Sequence, residues 1–396
     1  MNPISACDAA LRPGGAGEAL RTPGIWTLAV LLGSGLVQAQ TTSRNQLSPD
    51  QLFQEALAAQ ERGDDAVAVS RYRELLRLHP EAESVRVNLG ATLAHEKHFD
   101  QAIEQYSAVL KADPSNRLVR LNLVMVYQDG ADLTDAIKEL ERLHREDPGD
   151  RRVLLLLGDS YLKAGRDADS ISLLLPLESA QPDDLELEWL LGRALIHAHR
   201  LQDGVERVEK VAESSTNADA FLLAGQTRFS MNQFDLARRD SDAAVRLNPA
   251  GTGVATLDGM VREQTADYDG AETALLQAVA ADAKDFNAHF YLGAIYYFKR
   301  DMPHARLHLT QALSLQPQSA QVRYELARVA HVDGNLDEER KELETVVQQT
   351  PDWLQPHIEL AALYFRLRLP EDGARQREIV DRMMATLQAT QSEAAH

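Results

Sequence analysis

Prolines recur at a fixed interval along most of this chain. Pro80, Pro114, Pro148 and Pro182 stand 34 residues apart, and Pro249, Ala283, Pro317 and Pro351 continue the spacing. The 67 residues between Pro182 and Pro249 make one interval of 34 and one of 33, with Thr216 at the intervening slot. A period of this length implies small units stacked in a row, each burying its apolar face against its neighbours. Ala, Leu, Glu, Arg and Gln dominate the repeated region, and strand-length runs of Val, Ile and Thr are scarce. Those are strong helix formers, so the units are expected to be helical.

Other slots repeat in the same frame. A small residue stands 24 before each proline slot: Ala56, Gly90, Gly158, Gly192, Gly225, Gly259, Gly293 and Ala327, with Val124 the exception. Leu89, Leu123, Leu157, Leu191, Leu292 and Leu326 immediately precede it, and Tyr127, Tyr161 and Tyr296 follow three later. Ala68, Ala102, Ala136, Ala237, Ala271 and Ala305 share a slot, as do Tyr72, Tyr106, Leu140, Leu174, Leu275 and Leu309. Small slots suit two antiparallel helices crossing closely, and the bulky slots fill the space around the crossing. Proline ends the second helix because it lacks an N–H and clashes with the preceding turn.

At these slots the chain resembles the tetratricopeptide repeat: Leu-Gly-x-x-Tyr, then Ala-x-x-x-aromatic, then Pro. The resemblance implies an all-α fold, a right-handed superhelical solenoid of antiparallel helix pairs in about ten 34-residue units. It also implies a concave groove, lined by the first helix of each unit, that holds a peptide or helix of a partner protein. Nine full units and a terminal capping unit are expected over residues 49–388, after a linker at 40–48 and before a disordered tail at 389–396. Phe286 to Pro317 matches best. The weakest units are Leu185 to Thr216, where Gly204 replaces the small Ala, and the last, where Arg377 takes a bulky slot. A polar last helix suits a solenoid end. A bend is expected near residues 213–218, where the period shortens and Ser214, Ser215, Thr216 and Asn217 are poor helix formers. Ala250 to Gly253 is a second weak point.

The N-terminus reads as an address. Ile25 to Val37 is a 13-residue apolar run preceded by Arg12 and Arg21, and it ends at Val37-Gln38-Ala39. This predicts a signal peptide over residues 1–39, cut after Ala39, and a periplasmic or secreted protein. The long leading segment with Asp8 and Glu18 leaves an uncleaved anchor at 25–37 as the alternative, and only then would the protein touch a membrane. The single cysteine, Cys7, lies upstream of that cut. A mature chain without it has no thiol for a disulfide, a Cys-based zinc site or an iron–sulfur cluster.

The formal net charge of −19 argues against nucleic acid as a partner, because such binding needs a basic face. Nor is there a glycine-rich phosphate loop, a nucleophile elbow or room for a catalytic domain, so no enzymatic activity and no cofactor are expected. His304 and His308 share a helix face, and His95 and His98 flank Glu96, but neither pair matches a zinc motif and no metal is expected.

Candidate binding residues lie on the first helices. Between Phe286 and Phe298 there are six aromatics, out of 3 Trp, 10 Tyr and 9 Phe in the whole chain. Phe290, Tyr291, Tyr297 and Phe298 are expected to face the groove, with Tyr324, Arg328 and Phe365 as its extension. Exposed aromatics serve as anchors for peptides; the other reading is that adjacent first helices pack these rings against each other. Asn88 and Asn122 occupy a slot where the family often places Asn, and either hydrogen-bond a ligand backbone or face water. The basic residues of a carboxylate clamp are missing around them, where Phe53, Val87, Leu118 and Leu121 stand instead. The expected function is a non-catalytic scaffold for envelope assembly, secretion or polysaccharide export. The alternative is an accessory subunit of an enzyme encoded elsewhere.

Overall fold

A computed structural model describes residues 47–394. The described residues form helices and no strand, and consecutive helices pack as antiparallel pairs. The first five pairs are α1 (Pro49–Glu61) with α2 (Asp65–Leu78), α3 (Glu83–His95) with α4 (Phe99–Ala112), α5 (Arg117–Asp129) with α6 (Leu133–Glu146), α7 (Arg151–Lys163) with α8 (Asp167–Glu178), and α9 (Leu185–His197) with α10 (Leu201–Ser215). Next come α11 (Ala218–Ser230) with α12 (Phe234–Leu247), α13 (Val254–Gln264) with α14 (Tyr268–Ala281), and α15 (Phe286–Phe298) with α16 (Met302–Leu315). The last two are α17 (Ala320–Asp333) with α18 (Leu336–Gln349), and α19 (Leu354–Arg366) with α20 (Pro370–Ala394). The chain is an all-α solenoid of helix pairs.

The described residues divide into two compact units at residues 210 and 211, inside α10. The cores of the first unit gather around Tyr72, Tyr106, Leu140 and Leu191, and those of the second around Leu275, Leu309 and Leu343. The signal and anchor readings of residues 25–37 fall outside the described residues. Ser48, placed by sequence in a linker, instead caps α1 in a reciprocal box with Gln51. The helix expected to end at 388 continues to Ala394, which corrects the start of the expected tail. Among the described residues no helix is long and apolar enough to cross a membrane.

The slots have a direct packing cause. A Cβ at Gly90 would lie 2.7 Å from the Tyr106 ring, and one at Gly293 would lie 2.5 Å from Leu309. Tyr106 and Leu309 are fully buried, so the bulky slot of the second helix sits on the bare backbone of the first. In the fifth pair the close contact is with backbone. A Cβ at Gly204 would fall 2.8 Å from the Gly192 carbonyl and 2.9 Å from the Ile196 nitrogen. Backbone cannot rotate aside as a leucine can. Gly204→Ala is therefore expected to destabilise the protein by about 2 kcal/mol, read by urea unfolding, and an unchanged midpoint would refute the backbone contact.

The residue before the proline slot leaves the helical region in several pairs, as at His79 (φ −132°), Asp113 (φ −126°) and Gln316 (φ −131°). Proline's ring disfavours the α region for its predecessor. Asp282 does the same (φ −138°) before Ala283, so the turn outlasts the loss of its proline. A second turn recurs inside every pair. Lys97, Ala131, His199, Asn232, Ala266, Arg300 and Arg368 have φ between 58° and 63°, at the slot where other pairs carry Gly63, Gly165 and Gly334. This left-handed residue reverses the chain between the two helices of a pair.

Candidate interaction face on the first helices

In the second unit the first helices are α11, α13, α15, α17 and α19. The positions three before and one, four and five after the small slot share one face of each first helix, since they fall within about 100° of one another at 100° per residue. On α15 these include Phe290, Tyr297 and Phe298, on α17 Tyr324, Arg328 and Val332, and on α19 Ile358, Phe365 and Arg366. The face is concave, because first helices two pairs apart approach each other. The rings of Phe229 on α11 and Tyr291 on α15 lie 6.3 Å apart, and Glu325 on α17 acts on Glu263 of α13.

The predicted residues divide by burial. Phe298 is 49 % exposed and Phe365 46 %, with Val332 at 41 % and Ile358 at 38 % beside them. These four are large apolar groups left partly open to water, with the Phe365 ring lying against Gly373 of α20. Tyr297 and Arg328 are half-buried and paired, the guanidinium 4.2 Å from the ring centroid. Phe298 stacks on Tyr268 of α14 at 5.5 Å.

Tyr291, Tyr324, Asn88 and Asn122 are corrections, for all four are buried. The Tyr324 hydroxyl donates to Glu359 at 2.6 Å and its ring lies 4.8 Å from Trp353, so it ties α17 to α19. Its pKa is raised by burial and by that carboxylate. Asn88 faces the Tyr72 hydroxyl instead of water or a ligand. Tyr291, Asn88 and Asn122 stand two before the small slot, a position turned into the seam between helices. Phe290 is half-buried and meets Tyr291 edge-on at 5.3 Å. For these side chains, packing between helices accounts for the residue type.

Carboxylates border the apolar face. Glu325 is buried and receives Arg328 Nη1 on both oxygens, at 2.9 and 2.8 Å. Burial raises its pKa against the pull of Arg328, and Glu359 raises it further. Burial also raises the pKa of Glu263, with Glu325 adding to it. Among the described residues no cation lies within ion-pairing distance of Glu263 or Glu359. Glu263 accepts only from Gln264, at 2.6 Å.

Two features escaped the sequence reading. In the first unit, Trp189 and Arg193 on α9 take groove positions, the guanidinium 5.6 Å from the indole. Burial lowers the Arg193 pKa, and its nearest carboxylate, Asp159, is 4.0 Å away. The second feature is a polar pair within helix pairs, 19 residues apart. Arg86 meets Gln105 at 3.2 Å, Arg323 meets Glu342 at 2.8 Å, and His289 meets His308 at 3.0 Å. The first member also reaches the carbonyl at the proline slot, as Arg323 does Pro317 at 3.0 Å and His357 does Pro351 at 3.0 Å. The partner of His308 is thus His289, while His304 pairs with Asp301 at 2.7 Å. Among the described residues no three metal-ligating side chains gather.

The fold and its lined inner face define a helical-repeat solenoid of the protein-interaction class. Tetratricopeptide repeat models match residues 93–153 and 127–194, and a second such model matches residues 53–117 and 296–352. The chain belongs to the tetratricopeptide repeat family. Among solved structures it is similar to the Cut9–Hcn1 hetero-tetramer of the APC/C, with TM-score 0.50 and 14 % identity over 85 % of this chain and 87 % of that one. A tetratricopeptide repeat protein from Parabacteroides merdae ATCC 43184 gives TM-score 0.47 and 10 % identity, over 67 % of this chain and 97 % of that one. YrrB, described as a repeat protein with an unusual peptide-binding site, gives 0.40 and 17 %, over 46 % and 95 %. No curated protein matches the sequence.

Proposed function

We propose that this protein is a non-catalytic scaffold that holds a segment of a partner protein along the inner face of its second unit. The observation that carries the reading is the set of partly exposed large apolar side chains Phe298, Val332, Ile358 and Phe365 on consecutive first helices. Large apolar side chains cost free energy when left in water, and a row of them along one face marks an interaction surface. The hetero-tetramer formed by Cut9 and Hcn1 offers a parallel for a solenoid of this fold working inside a complex. From the apolar run at Ile25–Val37 we place the work outside the cytoplasm, in envelope assembly, secretion or polysaccharide export.

The test compares the full chain with Phe298→Ala/Phe365→Ala as bait in an envelope fraction, followed by affinity measurement with the purified partner. Both side chains are about half exposed, so melting should shift little. Two anchors at roughly 1.5 kcal/mol each predict about a hundredfold weaker binding. A partner that binds both forms equally would remove the assignment of this face.

A further inference from the structure

The apolar row is not electrically neutral, and its charge limits what can cover it. Glu263, Glu325 and Glu359 stand on α13, α17 and α19, and neighbouring members act on one another. The cation paired into this row is Arg328, held by Glu325 and laid over Tyr297. Arg366 is engaged elsewhere, with Glu339 at 3.4 Å and His331 at 3.1 Å. Among the described residues neither Glu263 nor Glu359 has a cation within ion-pairing distance: Glu263 accepts from Gln264, and Glu359, next to the partly exposed Ile358, accepts from Tyr324 and Gln355. An acidic or purely apolar segment seated here would desolvate these carboxylates without compensation. A positive one would neutralise them in a partly water-excluded site.

Resting on the interaction face proposed above, we infer that its occupant is a partner-protein segment in which a lysine or arginine is flanked by apolar side chains. The cation meets Glu263 at the α13 end, where Tyr297 and Phe298 offer ring surface to its methylenes. The apolar neighbours lie on Phe298, Ile358 and Phe365, and a second basic residue further along would meet Glu359. This gives the face selectivity by charge as well as shape.

The experiment is selection of a random dodecapeptide display library on the immobilised full chain. Recovered sequences should be rich in Lys or Arg beside Leu, Ile or Phe. A synthetic copy of a recovered peptide should bind about tenfold more weakly for each carboxylate replaced in Glu263→Gln and Glu359→Gln. Its binding to the native chain should also weaken as salt rises. Glutamine keeps the volume and removes mutual repulsion, so both variants should fold, as melting curves will check. Recovery of neutral or acidic sequences, or equal binding by both Gln variants, overturns the charge assignment while the face itself stands. If recovered peptides bind Phe298→Ala/Phe365→Ala as well as the native chain, the interaction face fails too. A concentration-dependent dimer that Phe298→Ala dissolves would make the occupant a second copy and overturn the inference.

Discussion

Asp240→Ala is expected to cost about 3 to 5 kcal/mol, more than any other single polar substitution proposed for this solenoid. Asp240 is fully buried on α12, and Arg228 of α11, 4 % exposed, pairs with one of its oxygens. Arg239 donates to the other at 3.1 and 3.0 Å. Removing the carboxylate takes a buried charge-assisted hydrogen bond away from the Arg228 guanidinium, so less of its desolvation is offset. Arg239 is about half exposed and can turn to water. Arg228 stands at the slot that holds Tyr161 and Tyr296 elsewhere, so an uncharged side chain fits there. Arg228→Met with Asp240→Ala should therefore recover most of the loss. Urea unfolding reads the total, and hydrogen exchange at α11 and α12 locates it. If the single and double variants are equally unstable, packing at Asp240 matters and the buried charge does not.

The slots visible in sequence were those whose cause is steric and repeated. Gly90, Gly158 and Gly293 each lie under a bulky residue sixteen positions on, and the period exposes that without any knowledge of contacts. The left-handed turn was equally periodic but stayed hidden, because Lys97, Ala131 and Arg300 share a conformation and no chemistry. The polar pairs hid for a related reason. The slot holds Arg86 and Arg323 in some pairs and His289 and His357 in others, and their common reach to the proline-slot carbonyl is visible only in the structure.

The candidate face was legible in part. Phe298 and Phe365 are about half exposed, whereas Tyr324 and Tyr291, counted with them, are interior. Helical periodicity separates positions by about 100° per residue, which assigns a side chain to a helix face. It does not say whether the next helix covers that face. Burial at Tyr291, Asn88 and Asn122 comes from neighbouring helices packed against the seam, which sequence spacing within one repeat does not encode.

Acidification is expected to loosen the eighth pair through His289 and His308. The two Nδ1 atoms are 3.0 Å apart, and His289 Nε2 lies 3.3 Å from the Ala283 carbonyl. That carbonyl only accepts, so Nε2 carries the proton and His289 Nδ1 accepts from His308 Nδ1–H. His304 and Tyr296 also face His308, with Tyr296 stacked on it at 5.6 Å and hydrogen-bonded to Glu272 at 2.8 Å. Burial first, then the neighbouring His289 and His304, lower the His308 pKa to about 4. An unfolded chain binds the proton at about 6.5, so between those values it holds more protons than the folded one. Stability is therefore complete above about pH 6.5, falls as pH drops toward 4, and levels off below. At about 1.4 kcal/mol per tenfold change in acidity, the loss approaches about 3 kcal/mol. The fourth pair supplies the control, since Leu154 and Leu173 occupy the same two positions there. His289→Leu/His308→Leu should flatten this part of the stability profile between pH 6.5 and 4, measured by urea unfolding at each pH. A profile as steep as that of the native chain would assign the acid sensitivity to other groups.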